Sequence, residues 1–385
     1  MSLRLSKRSG FIVQSEIRNM SIECERVGGI NLSQGVCDTP IPAEVRRAAQ
    51  AAIDAGPNSY TRYDGIPEIR RTLAARLERH NHLTANPEAE IIVSAGSTGA
   101  FYCACMALLD PGDEVVLFEP FYGYHVNTLL AVEAVPLYVP MKPPEWTFRI
   151  EDLEAVVTPR TRAIMLCTPA NPTGKVWSRA ELELISDFAQ RYDLFVFTDE
   201  VYEHLVYDGA EHISPATIPG LRSRTITMGS LSKTFSITGW RIGYAVSDPQ
   251  WARMIGYMND LVYVCAPAPL QAGVARGLEA VPDSYYTDLR DEYREKRDLI
   301  CAALRDAGLT PFVPRGAYYV LADLSRIPGT SSKERAMKLL ELTGVATVPG
   351  ESFFRPGHGQ TITRFCFAKT MEDLSEACKR LRRLA

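Results

Sequence analysis

The sequence predicts an α/β fold in which a large, mostly parallel sheet is flanked by helices and joined to a smaller α+β unit. Three observations carry this expectation. Short apolar runs alternate with helical patterns through the middle of the chain. Each run is bounded by Gly, Pro, Asp or Ser, the punctuation expected around buried strands. Past Asp283 the alternation gives way to a long charged amphipathic stretch followed by isolated strands. Strand–helix alternation implies parallel strands covered on both faces.

The predicted strands are Ile91 to Ser94, Glu114 to Phe118, Val135 to Val139, Ala163 to Cys167, Leu194 to Phe197, Thr225 to Met228 and Ile242 to Val246. Between them, Gly99 to Leu109 and Arg179 to Tyr192 have helical spacing. The C-terminal part reads as a helix over Asp283 to Ala307, a strand at Tyr318 to Leu321, a helix near Lys333 to Leu342 and a last strand over Ile362 to Phe367. The first forty or so residues contain too little apolar surface to fold alone and are expected to pack on that unit. The expected organisation is an N-terminal segment at 1–45, a large domain at 46–280 and a small C-terminal domain at 281–385.

Composition excludes several classes. The 385 residues carry 46 acids against 42 bases, a formal net charge of −4, without the basic excess of a nucleic-acid binder. No stretch approaches the roughly 18 apolar residues of a membrane span. The basic start has only Phe11-Ile12-Val13 as an apolar patch, too short for the core of a signal peptide. The nine cysteines are scattered and contain no C-x-x-C pair, so they read as reduced thiols of a cytoplasmic protein. The six histidines form no H-E-x-x-H, and no metal is indicated.

In α/β sheets chemistry collects at the carboxyl ends of the strands. The first run is followed by Ser94-Ala95-Gly96-Ser97-Thr98-Gly99, small residues opening a helix, whose free N–H groups and hydroxyls suit an anion; a plain capped turn would read the same way. After the second comes Phe121-Tyr122-Gly123-Tyr124, aromatics able to stack on a flat ligand or simply to pack in the core. The fourth ends in Thr168-Pro169-Ala170-Asn171-Pro172-Thr173-Gly174-Lys175, an irregular loop presenting an amide. The fifth ends in Asp199-Glu200-Val201-Tyr202, where Asp199 is an acid in the crevice or a helix N-cap. The sixth ends in Ser230-Leu231-Ser232-Lys233, then Gly239-Trp240-Arg241-Ile242-Gly243. Lysines are few, and most lie on evident surface helices or turns, whereas Lys233 sits among Ser, Thr and Gly at a strand end. A lysine in a partly desolvated, cation-rich site loses basicity and becomes a usable nucleophile. Arg241, eight residues on, can return to the same crevice as an anion clamp.

One cofactor, pyridoxal phosphate (PLP), calls for this whole set: a lysine for its aldehyde, a carboxylate for its ring nitrogen, an aromatic on its ring, donors for its phenolic oxygen and a phosphate cradle.

The chain resembles the class I/II aminotransferases. N-P-T-G-K at 171–175, D-E-x-Y at 199–202, S-x-S-K at 230–233 and G-W-R-x-G at 239–243 stand in the order of that family, and the likeness runs from Ile30 to Arg364. The resemblance implies PLP fold type I: a large domain with a mostly parallel seven-stranded sheet flanked by helices, plus a smaller α+β domain from both chain ends. It implies that Lys233 forms the Schiff base and then moves the proton. Asp199 would pair with the ring nitrogen, Asn171 and Tyr202 would donate to the phenolic oxygen, and Tyr122 would stack on the ring. Ser97, Thr98, Ser230 and Arg241 would seat the phosphate. Arg364, with Asn171 and the Gly35 backbone, would hold the substrate α-carboxylate. Tyr60 resembles the tyrosine that reaches a neighbouring subunit's phosphate, which implies a homodimer with composite sites. Two departures stand out: His125 where many relatives carry Tyr, and Val36-Cys37-Asp38 after Gly35.

The reaction implied is ping-pong transfer of an amino group from an L-amino acid to a 2-oxo acid. Two other readings share these residues: a carbon–sulfur β-lyase or aminocyclopropane carboxylate synthase-like enzyme, and a non-catalytic PLP-binding regulator. For the last, a DNA-binding helix-turn-helix has no room before Asn31. Aspartate, kynurenine and aromatic amino acids all stand open as donors, with Arg18 or Arg62 as candidates to meet a second carboxylate.

Overall fold

The computed structural model describes residues 3–12, 14–56 and 58–385; Met1, Ser2, Val13 (the end of the apolar patch noted above) and Pro57 lie outside the described residues. Its strands are β1 (Ile30–Asn31), β2 (Ile91–Ala95), β3 (Glu114–Glu119), β4 (Val135–Pro140), β5 (Thr161–Cys167), β6 (Phe195–Asp199), β7 (Thr225–Ser230), β8 (Ile242–Val246), β9 (Thr310–Phe312), β10 (Tyr319–Asp323), β11 (Val345–Ala346), β12 (Val348–Pro349) and β13 (Ile362–Cys366).

All seven runs read as strands enter one sheet, ordered β2-β8-β7-β6-β5-β3-β4. Six strands run the same way, and β8 lies antiparallel to both its neighbours. Along β3 and β5 successive side chains enter opposite cores. Val115, Ala163 and Met165 pack with Phe101 and Phe197, whereas Val116, Ile164 and Leu166 pack with Leu182, Ile185 and Phe188. Because both faces are buried, these strands read as continuous apolar runs.

The helix Gly96–Leu108 is apolar nearly all round, since it lies between the sheet and the helix Pro249–Tyr263. The helix Arg179–Arg191 starts at a capping box: Ser178 Oγ accepts from the Glu181 N–H while Glu181 returns a bond to the Ser178 N–H at 2.9 Å. Lys175 of the N-P-T-G-K loop is spent locally, its Nζ 2.6 Å from Glu181 Oε1.

A second, antiparallel sheet is ordered β12-β13-β10-β9. Against it pack the helices Asp283–Asp306 and Met371–Leu381, with Leu304, Phe365, Leu374 and Cys378 in the shared core. The N-terminal segment joins this region. β1 pairs in parallel with β11, and Met20 and Cys24 of the helix Glu16–Arg26 pack on Ala336 and Leu340. No helix among the described residues is long and apolar enough to cross a membrane.

Candidate active site

The carboxyl ends of β2, β5, β6 and β7 open onto a cavity of about 250 Å³. Eleven of the twelve residues singled out above line it: Gly35, Ser97, Thr98, Tyr122, Asn171, Asp199, Tyr202, Ser230, Lys233, Arg241 and Arg364. Tyr60 does not; it is 81% exposed on the surface of the same chain.

At the floor, Asp199 is the last residue of β6 and is buried. It caps no helix. Its Oδ1 accepts from the Val201 N–H at 3.4 Å, and its Oδ2 lies 3.0 Å from His125 Nε2. His125 sits on the helix Gly123–Ala131, wedged edge-on against Phe101 and Tyr122.

Lys233 follows β7, its Nζ donating to the Gly35 carbonyl at 3.1 Å, which also accepts from the Tyr318 hydroxyl at 3.0 Å. Desolvation lowers the Lys233 pKa below that of an ordinary lysine. The Arg241 cation adds to this, while Cys37, Cys366 and Asp199 oppose it.

At one end of the cavity the helix Gly96–Leu108 begins without any side-chain cap, so its first N–H groups are left for another acceptor. Two glycines make the crowding there feasible. A Cβ on Gly96, which has φ +74°, would stand 2.4 Å from Arg241 Nη2, and a Cβ on Gly243 would stand 2.5 Å from the Ser97 nitrogen. Arg241 itself is held in the left-handed region, φ +58°, with Nη1 on the Thr238 carbonyl at 2.9 Å. Ser230 Oγ donates to Ser232 Oγ at 2.8 Å and lies 3.0 Å from the Ile242 carbonyl.

At the other end stands Arg364 of β13, with no exposure to solvent. Nη1 donates to Asn171 Oδ1 and Nη2 to the Ser33 carbonyl, both at 2.8 Å. Nε has no partner. The guanidinium lies 4.1 Å from the Tyr319 ring centre and 4.8 Å from that of Phe353. It is a buried cation surrounded by neutral acceptors and aromatic faces, with no carboxylate among its partners.

Sequence reasoning missed Gln34, Ser232, Thr238 and Tyr319 in the lining, and it noted His125 only as a departure. Tyr319 had a local signal in the pair Tyr318-Tyr319 opening a strand; the others carry none without the fold. Neither Arg18 nor Arg62 lines the cavity, contrary to their candidacy. Arg62 is held outside by Asp64, at 3.0 and 2.7 Å.

A lysine, a buried carboxylate and an uncapped helix start at strand ends of the main sheet face a buried arginine of the second sheet across one cavity, the layout of an enzyme active site, and comparison with known proteins carries the assignment further. Residues 27–381 match the family described as aminotransferase class I and II. The chain is 37% identical to the probable N-succinyldiaminopimelate aminotransferase of Mycobacterium tuberculosis, over 95% of each chain. It is 33% identical to kynurenine–oxoglutarate transaminase 3 of Rattus norvegicus, over 90% of this chain and 83% of the relative. Among solved structures it resembles Escherichia coli YbdL, reported with a methionine aminotransferase function, with a TM-score of 0.95 and 30% identity over all of both chains. The chain belongs to the class I and II aminotransferase family and is a transaminase of PLP fold type I.

Proposed function

We propose that this aminotransferase depends on pyridoxal phosphate, works as a homodimer, and takes amino donors with a bulky apolar side chain. The observation that carries the proposal is the convergence of Lys233, Asp199 and Arg364 on one cavity.

The residues present fit the cofactor. An uncapped helix start, Ser97, Thr98, Ser230 and the Arg241 guanidinium suit a phosphate. Asp199 suits a ring nitrogen, Tyr122 a ring face, and Asn171 and Tyr202 an anionic ring oxygen. When bound, pyridoxal phosphate supplies an aldehyde and an electron-withdrawing ring. Lys233 then takes the proton from the substrate Cα, a task for which its lowered basicity prepares it. Arg364 binds the α-carboxylate through the guanidinium N–H groups left free by its two existing bonds, fixing which Cα substituent points at Lys233. Tyr202, whose pKa burial pushes well above the usual tyrosine value, stays a proton donor throughout.

The donor preference is supported by a second cavity of about 390 Å³ that shares Ile17, Tyr122 and Tyr124 with the first. Phe121, Val126, Phe353 and Phe354 line it, and among the described residues the charged groups in its lining are Glu351 and Glu16, the latter paired with Lys333 at 3.0 Å. Such a chamber favours an aromatic or thioether side chain and repels a second carboxylate. The dimer is supported by an exposed apolar patch of Tyr257, Leu261, Val262 and Val264 on the same side as Tyr60, where the Thr61 N–H meets Cys265 Sγ. On this reading Tyr60 serves the partner's phosphate seat, and residues 1–45 and 281–385 act together as the small domain.

The test is purified protein with pyridoxal phosphate, 2-oxoglutarate and a panel of L-amino acids. Phenylalanine, kynurenine or methionine should exceed aspartate by at least about tenfold in kcat/KM; the reverse order overturns the donor preference. Lys233→Ala should abolish turnover with an unchanged circular dichroism spectrum, and retained turnover would sink the assignment of Lys233.

A further inference from the structure

Tyr319 opens β10, opposite Cys366 of β13, and touches the two sides of the cavity at once. Its ring forms one of the faces on which the Arg364 guanidinium rests, Cζ to ring centre 4.1 Å. Its hydroxyl lies 3.2 Å from the Tyr202 hydroxyl. It fills the space over Gly35 so closely that a Cβ there would meet its oxygen at 1.9 Å. A side chain at position 35 would therefore expel the ring from under Arg364.

The proton count fixes the direction of the Tyr202–Tyr319 bond. Each phenol has one O–H to give. Once Tyr202 spends its hydrogen on a ligand in the cavity, the bond between the two phenols must run from Tyr319 to the Tyr202 oxygen. A phenol that accepts a hydrogen bond becomes a stronger donor in turn, because the bonds polarise one another in a low-dielectric site. Burial, partly offset by Arg364, pushes the Tyr319 pKa up to about 12, so its proton is present across the neutral range. The ring does a different job. An aromatic face under a guanidinium holds its plane and removes it from water, while leaving its edge free to meet a carboxylate.

We propose that Tyr319 is a positioning residue with two separable roles: its ring sets the plane of Arg364 for the substrate carboxylate, and its hydroxyl fixes and strengthens Tyr202 as a donor. This rests on the reading of Arg364 and Tyr202 given above. It makes Tyr319 a shared support for the carboxylate clamp and for Tyr202 as ring-oxygen donor.

The experiment uses the holoenzyme and four variants: Tyr319→Phe, Tyr319→Leu, Tyr202→Phe and the double Tyr202→Phe/Tyr319→Phe. It measures kcat and KM for one L-amino acid donor and the pH titration of the visible absorbance of the bound cofactor. Tyr319→Phe keeps the ring and loses the hydroxyl. It should lower kcat about 2- to 10-fold, leave KM within about twofold, and shift the absorbance titration. In the Tyr202→Phe background the same change should do nothing further. Tyr319→Leu should add a rise in KM of at least about tenfold. Additive effects in the double variant, or an unmoved absorbance titration in Tyr319→Phe, overturn the hydroxyl role. An unchanged KM in Tyr319→Leu overturns the ring role. If the leucine variant does not fold, Tyr319→Met replaces it as the test of the ring role with the same expected rise in KM, and the phenylalanine and double variants decide the hydroxyl role. A wild-type protein that binds pyridoxal phosphate but does not transaminate would overturn the functional reading instead.

Discussion

Arg76 and Arg364 are both buried arginines, and they are built in opposite ways. Arg76, on the helix Pro67–Asn81, carries its counter-ion with it: Nη2 lies 2.6 Å from Glu203 Oε1, and Asn81 Nδ2 holds the other carboxylate oxygen at 2.6 Å. Arg364 has only an amide oxygen, a carbonyl and two aromatic rings. A buried charge that is already neutralised belongs to the framework. One that is left with neutral acceptors is completed only when a ligand arrives, and its burial cost is carried by the rest of the fold. Asp199 repeats the second pattern with the opposite sign, since it meets an imidazole and a backbone N–H rather than Lys or Arg.

This contrast can be broken by substitution. Arg364→Met should cost about 10³-fold in kcat/KM while leaving the melting temperature unchanged or higher, because it removes a charge that had no protein counter-ion. A large drop in stability would place Arg364 with Arg76 after all. Glu203→Gln should do the reverse, destabilising the fold by about 3–5 kcal/mol because a buried guanidinium is stranded. Activity measured well below the melting temperature should change little.

The Glu203 contribution also has a pH signature. Burial works against the carboxylate, but Arg76, with His204 and His212, holds its pKa down at about 2 against an ordinary 4.5. A lowered folded-state pKa gives stability that is present above the unfolded value and lost as pH falls through the folded one. The difference in melting temperature between wild type and Glu203→Gln should therefore hold above about pH 4.5 and close as pH falls towards 2; a gap that stays constant would refute the ion pair.

His125→Leu removes the imidazole from Asp199 and should lower kcat about tenfold with little change in KM for the donor. The smallest effect is expected on the surface. Arg160 is exposed and meets Glu114 at 2.6 Å, yet Thr158 also holds that carboxylate, so Arg160→Ala should cost under about 1 kcal/mol.

The fold was largely legible because strands buried on both faces announce themselves locally. Each of the seven apolar runs became a strand of one sheet, within a residue or two. The loops after β5, β6 and β7 yielded Asn171, Asp199 and Lys233 through the same logic, since a strand end marks where a side chain can reach a ligand. What stayed hidden depends on pairing rather than on pattern. Nothing in Ile242 to Val246 marks β8 as the reversed strand. His125 finds Asp199 across 74 residues, and Phe353 finds Arg364 from a loop with no periodicity. The helix Met371–Leu381 was not anticipated, although its apolar positions have helical spacing.

The pairing of β1 with β11 bears on how the protein is made. Residues 30 and 31 are synthesised 315 residues before their partners at 345 and 346. Everything that forms the main sheet, from β2 to β8, is translated in between and can collapse first around its own core. Arg364 follows later still. A nascent chain therefore completes the half that holds Asp199 and Lys233 before it acquires the arginine that closes the far end of their cavity.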